Sequence, residues 1–298
     1  MLGLLWALMT IGVFVTYRIL DIADLTVEGS ITMGAAIAAQ AIYSGLNPFF
    51  ATFFAILGGM LAGLVTGLLH ARLRIPALLS GILTMTGLYS INLRILGKAN
   101  LSLLRMDTIY TLFRAGRLGR GILGDLDNGQ TLTVITLAAL CVLGVLVILY
   151  WFFGTELGSS VRATGNNPQM ARAQGINTNN MIVLGLVISN GLVALSGALI
   201  AQQQNYADVQ MGTGAIVIGL ASVIIGEVLF GKKNFFHRLM SLVLGAITYR
   251  LIIALVLEMG MPAHDLKLFT AITVAVALAL SALKPNLLPI KNGFKEAM

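Results

Sequence analysis

Residues 226–233, GEVLFGKK, come within one position of the phosphate-binding pattern G-x-x-x-x-G-K-[ST]. That pattern works when a strand feeds a glycine-rich loop whose N–H groups cradle phosphates, a lysine reaches the terminal phosphate and a hydroxyl holds magnesium. Here Lys233 stands where the hydroxyl belongs, and the segment closes an apolar run instead of following a strand. Nucleotide chemistry is not expected from it. His70, His237 and His264 fall on three separate connections with no metal-ligand spacing. Cys141 is the one cysteine and lies within LAALCVLGVLVILYW, so the thiol is expected to be buried and inert, and no disulfide can close within one chain. No nucleophile, base and acid are spaced as a catalytic set. The chain reads as a non-enzyme that needs no cofactor and no metal.

The remaining chemistry lies in polar groups inside apolar runs. Ser80, Thr84 and Asn92 recur at multiples of four and share one side of a helix. Ser189 and Ser196 are seven apart, as are Asn190 and Gly197. Two readings stay open for these groups. They tie helices together by hydrogen bonds, or they form a weakly polar wall along a path for a polar solute. Arg250 stands about twelve residues into its apolar run, or about 18 Å at the helical rise per residue. A central arginine costs at least about 2.5–3.5 kcal/mol to insert, so it must face protein or water. It neutralises a carboxylate or carbonyls, or it senses an anionic group in transit. Glu28 and Glu227 are expected near the cytoplasmic ends of their spans, with Glu227 close to Lys232. No carboxylate is expected at the membrane centre.

Elements that position such groups must be membrane-spanning helices. Charged residues make up 10% of the 298-residue chain and mean hydropathy is +0.90; a soluble domain carries about 25% charge. The fold class is therefore all-α, a polytopic membrane protein of about eight to ten helices. Nine crossings are expected, near 2–17, 29–45, 49–70, 76–94, 131–153, 181–202, 211–231, 239–257 and 267–283. The N-terminal run lacks a basic flank and a cleavage site and reads as a retained span. A formal charge of +7 fits basic cytoplasmic loops better than nucleic acid, which is not expected as a partner. Lys and Arg in 70–74, 158–180, 232–238 and the tail (Lys284, Lys291, Lys295) place those segments inside and the N-terminus outside. The loop 95–130 falls outside despite Lys98, Arg105, Arg114, Arg117 and Arg120, partly offset by Asp107, Asp125 and Asp127.

The two halves resemble each other. One ungapped shift takes Phe49–Phe50 to Phe235–Phe236, Gly59 to Gly245, Pro76–Ala77 to Pro262–Ala263 and Thr84 to Thr270. An Ala–Asp pair followed by glycines precedes each block, at Ala23–Asp24 and Ala207–Asp208. The topology puts Asp24 inside and Asp208 outside, so the repeat is expected to be inverted, as in many transport folds. The expected division is 1–94 as a first half, 95–130 as an external loop, 131–153 as a connecting span, 154–180 as a cytoplasmic loop, 181–283 as a second half and 284–298 as a tail. Gly59, Gly63 and Gly67 recur every four residues and offer a smooth face for close helix approach.

One polar island, GSSVRATGNNPQMARAQGINTNN (158–180), interrupts the apolar chain. A helix from Thr155 to Gly165 is expected, then a second one capped by Asn167, begun by Pro168 and stopped by Gly175. Paired start and stop signals predict a compact knob and a docking surface. This segment resembles the cytoplasmic loop of permease subunits of ATP-binding-cassette importers in the branched-chain amino acid and ribose permease superfamily. Their typical pattern, G-(x)n-R/Y-A-x-G-x-N-P-x-x-A-R-x-x-G-I, is matched by Arg162, Ala163, Gly165, Asn167, Pro168, Ala171, Arg172, Gly175 and Ile176. YRILDIADLTVEGSITMGA resembles that superfamily's first block, with Asp24, Glu28 and Gly34 in comparable places, and DLTVEGS looks like a subgroup associated with uptake of amino acids, including aromatic ones.

The resemblance covers essentially the whole chain. It implies a permease subunit in the cell membrane that moves a small polar nutrient, most simply an amino acid, inward; a sugar or nucleoside is the alternative. It implies a second permease subunit, forming a homodimer, two cytoplasmic ATPase subunits that carry the nucleotide chemistry, and an extracytoplasmic solute-binding protein. The nine loop residues would lie in a groove of the ATPase and couple it to the spans. The stretch RMDTIYTLFRAGR in the outer loop would receive the binding protein. The rival from another class is an ion-coupled secondary transporter, which needs carboxylates or unwound carbonyls at the midplane.

Overall fold

A computed structural model describes residues 1–115, 129–231, 234–258, 268–273 and 275. The elements are α1 (Leu2–Phe14), extended by a π-helical turn at Val15–Ile19, α2 (Thr26–Tyr43), α3 (Pro48–Ala71), α4 (Ala77–Leu96), β1 (Asn100–Ser102), α5 (Ile109–Ala115), α6 (Gly129–Gly154), α7 (Glu156–Asn166), α8 (Pro168–Ala173), α9 (Thr178–Gln204), β2 (Tyr206–Asp208), α10 (Ala215–Phe230) and α11 (Phe235–Glu258). The chain is an all-α polytopic membrane protein, with one short antiparallel pair, β1 with β2, as its sheet among the described residues. A helix coincides with each of the first eight expected crossings. The ninth, 267–283, lies mostly outside the described residues, as do Arg117, Arg120, Asp125, Asp127, Lys232, Lys233, Pro262–Ala263, His264 and the tail lysines.

Five of these segments, Leu2–Ile19, Pro48–Ala71, Leu132–Gly154, Thr178–Gln204 and Phe235–Glu258, are long and apolar enough to cross a membrane. At about 1.5 Å per residue, the 24 residues of α3 reach about 36 Å, enough for a hydrocarbon core of about 30 Å. Asn47 starts α3 by accepting from Phe49 N at 3.0 Å, with Pro48 at the first helical position. The exposed side of α3 carries Phe49, Phe50, Phe53, Phe54, Leu57 and Leu61, the surface expected against lipid. Its other side carries Gly58, Gly59, Gly63 and Gly67. A Cβ at Gly59 or Gly63 would run into the carbonyl of Asn190 or Leu186 on α9. Only hydrogen fits there, and the two backbones touch.

α9 is the central helix, packed on α3, α2 and α1. Its contacts fix the directions of α1 and α2, and through α1 that of α10. Ser189 Oγ donates to Gly12 O and Ser196 Oγ to Leu5 O, both at 2.7 Å, so α1 runs antiparallel to α9. Ser30 Oγ donates to Asn190 Oδ1 at 2.7 Å, and Gly34 lies against the backbone of Ala194, so α2 runs parallel to α9. Gly219 meets Met9 and Val13, and Glu227 pairs with Arg18, so α10 runs parallel to α1. α2 and α10 are therefore antiparallel, which is the inversion expected from the Ala–Asp repeats. The packing also exchanges partners. α9 packs with α2 and α3, while α1 packs with α10 and α11. α1, buried almost all round, is locked into the centre.

Candidate functional site

Two places bring chemistry-bearing residues together. At one end of the bundle lies a knob made by α7 and α8. Thr155 Oγ1 accepts from Gly158 N at 3.3 Å and starts α7. Asn167 Oδ1 accepts from Gln169 N at 3.1 Å and from Met170 N at 3.0 Å, and so caps α8. Gly175 ends the segment with φ at +82°. Glycine takes this left-handed conformation at no steric cost.

The knob is seated and does not dangle. Val161 and Ala171 are buried. Gly165 lies directly against the carbonyl of Ile19 and the backbone of Leu20, where a Cβ would collide. The guanidinium of Arg162 stands 5.5 Å from the Phe235 ring centroid at the start of α11. Arg172 Nε donates to Thr178 Oγ1 at 2.8 Å, tying α8 to the start of α9. Ala163 and Ile176 are half-buried, whereas Arg162, Asn167, Pro168 and Arg172 are exposed. Beneath the knob Glu227 on α10 pairs with Arg18 at 2.6 Å and with Arg238 on α11 at 2.7 Å. Glu227 thereby joins α1, α10 and α11; Lys232, beside which the sequence places it, lies outside the described residues. A polar cavity of about 490 Å³ opens among Arg18, Asp21, Arg162, Asn166 and Arg238.

The second place is the bundle centre. After α1 the chain turns at Asp21 (φ 57°) and re-enters the bundle, so that α2 starts in the interior. Asp24 is 3% exposed and accepts from Thr26 N at 2.9 Å and from Asn190 Nδ2 at 2.7 Å. Asn190 sits beside the midpoint of the 27-residue α9, so this carboxylate lies near the middle of the span. After β2 the chain likewise dips inward, and α10 starts at the buried Ala215. Its orphan amide at Gly214 donates to Glu28 Oε1 at 3.0 Å. A Cβ at Gly212 would meet the carbonyl of Glu28. Glu28 therefore lies two residues before Ser30, opposite a second broken helix near the bundle centre, and not at a cytoplasmic span end as the sequence reading had it. A half-helix beginning inside a membrane is tolerated where protein or a cavity satisfies its first N–H groups. Here Asp24 and Glu28 do so, one at each helix start.

Of the polar residues singled out in the sequence, Ser189 bonds α1 and Asn190 bonds Asp24 and Ser30. Ser80 Oγ contacts the carbonyls of Ile75 and Pro76, and Thr84 Oγ1 donates to Ser80 O at 3.0 Å. Asn92 Nδ2 donates to Gly29 O at 3.1 Å, and its residue borders a cavity between α2 and α4. Arg250 stands 4.3 Å from the Trp6 ring centroid, above a largely apolar cavity with Leu2, Gly3 and Ile135. Sequence reasoning missed Glu28 and Gly212–Gly214 as central residues. The repeated Ala–Asp and glycine blocks were the signal that could have found them.

Residues 1–281 match the family model described as the permease component of the branched-chain amino acid transport system. A tyrosine transport system permease protein of Clostridioides difficile (strain R20291) is 42% identical over 303 residues, covering 99% of this chain and 97% of that protein. An uncharacterized protein of Rickettsia prowazekii (strain Madrid E) is 33% identical, covering 90% of this chain and 91% of that protein. An autoinducer 2 import system permease protein of Yersinia pseudotuberculosis is 28% identical over 70% of this chain and 52% of its own length. No solved structure matches the chain.

Proposed function

This chain belongs to the branched-chain amino acid transport system permease family, whose members are permeases of ATP-binding-cassette systems, and on that footing we propose that it imports an amino acid, aromatic in class. Two copies form the pathway. Two separate ATPase subunits bind the knobs, and an extracytoplasmic binding protein delivers the solute. The observation that carries this reading is the seat of Gly165 on Ile19 and Leu20. An ATPase that grips α7 and α8 pushes on the end of α1, where the helix has already widened into a π turn. The chain from there leads directly through Asp21 to Asp24 and Glu28 at the centre. Arg162, Ala163, Gly165, Asn167, Pro168, Ala171, Arg172, Gly175 and Ile176 form or support the docking face. Met170 is 59% exposed on that face, and an exposed apolar side chain on a polar knob fits a protein partner. The tyrosine system relative, similar over nearly the full length, supports the aromatic amino acid over a sugar or nucleoside.

The test is uptake of labelled L-tyrosine into proteoliposomes that hold the permease, its ATPase and its binding protein. Accumulation should require internal-face ATP and the ATPase. Accumulation by the permease alone under an ion gradient would instead establish the secondary-transporter reading, for which the central Asp24 and Glu28 carboxylates are the favouring observation. Uptake of ribose or a nucleoside in place of any amino acid would move the substrate class.

A further inference from the structure

We propose that the cavity beside Glu28 is a binding site within the permease for the ammonium end of an apolar amino acid. This rests on the amino acid reading above and adds to it that the permease itself selects the amine. The cavity measures about 410 Å³ and lies between α2, α4 and the chain leading into α10. Small-molecule sites span about 300–1,000 Å³.

Its polar lining is made of acceptors and hydroxyls. Glu28 borders it, and its Oε1 holds the start of α10. Asn92 is 1% exposed, and its Oδ1 has no hydrogen-bond partner among the described residues. A buried carbonyl oxygen without a donor costs about 1–3 kcal/mol, so a donor arriving there is favoured. The hydroxyls of Thr32 and Thr86 each donate along their own helix, to Glu28 O at 3.0 Å and to Ile82 O at 2.8 Å. Their oxygens keep accepting capacity. Among the described residues, no Lys or Arg lines the cavity. A primary ammonium carries three N–H donors and no acceptor, which is the complement of this set. Among the described lining residues, an anion finds no positively charged donor.

The remaining walls are Tyr89, Met85 and Val209. They suit an apolar or aromatic body, and the Tyr89 ring, half-exposed on α4, adds a face on which a cation or another ring can rest. The site also sits where the two broken helices meet. Movement of α1 and the Asp21–Thr26 turn therefore alters the position of Glu28, and binding and release can follow the ATPase cycle.

The experiment uses the permease–ATPase complex in nanodiscs without the binding protein, and saturation-transfer NMR with three probes: L-tyrosine, tyramine and 3-(4-hydroxyphenyl)propionate. Tyrosine and tyramine, which have the amine, should give signals; the propionate, which lacks it, should give none above background. Glu28→Gln should weaken tyrosine by about tenfold or more, as loss of a charge-assisted bond predicts. Tyr89→Leu, on an exposed helix face where folding is not at stake, should weaken it by about threefold. If Glu28→Gln fails to assemble with the ATPase, Tyr89→Leu and the three-probe comparison decide alone. Equal signals with and without the amine, no tyrosine signal in the wild type, or unchanged binding in the variants overturns the site. Tyrosine uptake in the full system without an amine-dependent signal removes the site and leaves the amino acid reading standing. Failure of every amino acid in the uptake assay removes that reading.

Discussion

Asn190 donates through Nδ2 to Asp24 Oδ2 at 2.7 Å, and the same side chain accepts from Ser30 through Oδ1 at 2.7 Å. One amide in the middle of α9 thereby fixes both the re-entrant turn and the first turn of α2. Asp24 also accepts from Thr26 N, so Asn190 is not its sole donor. Asn190→Ala strips one donor from a buried carboxylate and should cost about 1.5–3 kcal/mol. Asp24→Asn should cost less, because an amide leaves no charge behind. The double variant should lose little more than Asn190→Ala, since the pair acts as a unit. Thermal unfolding in detergent measures all three, and additive losses would show that the two residues are not coupled.

Gly165 carries the seat of the knob. A methyl at this position collides with the Ile19 carbonyl, so α7 must lift off the end of α1. Gly165→Val should therefore cut ATP-dependent uptake by about tenfold or more, equivalent to about 1.4 kcal/mol on the coupled step. The complex should still assemble, because the exposed face of the knob is untouched. Uptake at the wild-type rate would show that the seat transmits nothing.

Arg162 and Arg172 make different contacts, one over Phe235 and one to Thr178, yet both are exposed. Arg162→Glu and Arg172→Glu should leave the permease folded and should separate ATP hydrolysis from uptake, hydrolysis continuing while accumulation fails. Wild-type uptake with both charges reversed would contradict the docking role. Parallel measurement of phosphate release and labelled tyrosine distinguishes the outcomes.

Glu227 clamps three helices through Arg18 and Arg238. Its own side chain is 1% exposed and its partners are about 30% exposed, so water screens part of the interaction. Glu227→Gln should destabilise the protein by about 2 kcal/mol, less than the 3–5 kcal/mol typical of breaking a fully buried pair. The thermal midpoint should fall accordingly. No change would mean that the clamp contributes nothing to the fold.

Parts of this architecture are legible in the residues. Asn47–Pro48 and Asn167–Pro168 announce helix starts, and each asparagine accepts the bonds that its place before proline implies. The Gly59–Gly63–Gly67 stripe announces close packing, and α9 lies against it. The serines spaced by seven announce a shared face, and both bond α1. The start points of α2 and α10 are not legible in the same way. Hydropathy reports that 29–45 and 211–231 are apolar; it does not report the depth at which the helix begins. Asp24 and Glu28 look like residues at a watery end because a carboxylate normally needs water. They are tolerated inside because each caps a broken helix, and that partnership joins residues as distant as Glu28 and Gly214. The pairing of β1 with β2 is equally hidden, since Leu101 meets Ala207 only after α9 has brought the two strands together.

The placement of the knob against a cytoplasmic motor is tested most directly by a cysteine at Met170 in a Cys141→Ser background. The prediction is that Met170→Cys reacts with a membrane-impermeant maleimide in inverted vesicles and not in intact cells, and that it cross-links to the ATPase subunit to an extent that changes with ATP. Labelling from the cell exterior, or cross-linking to no ATPase in a complex that still transports, would contradict it.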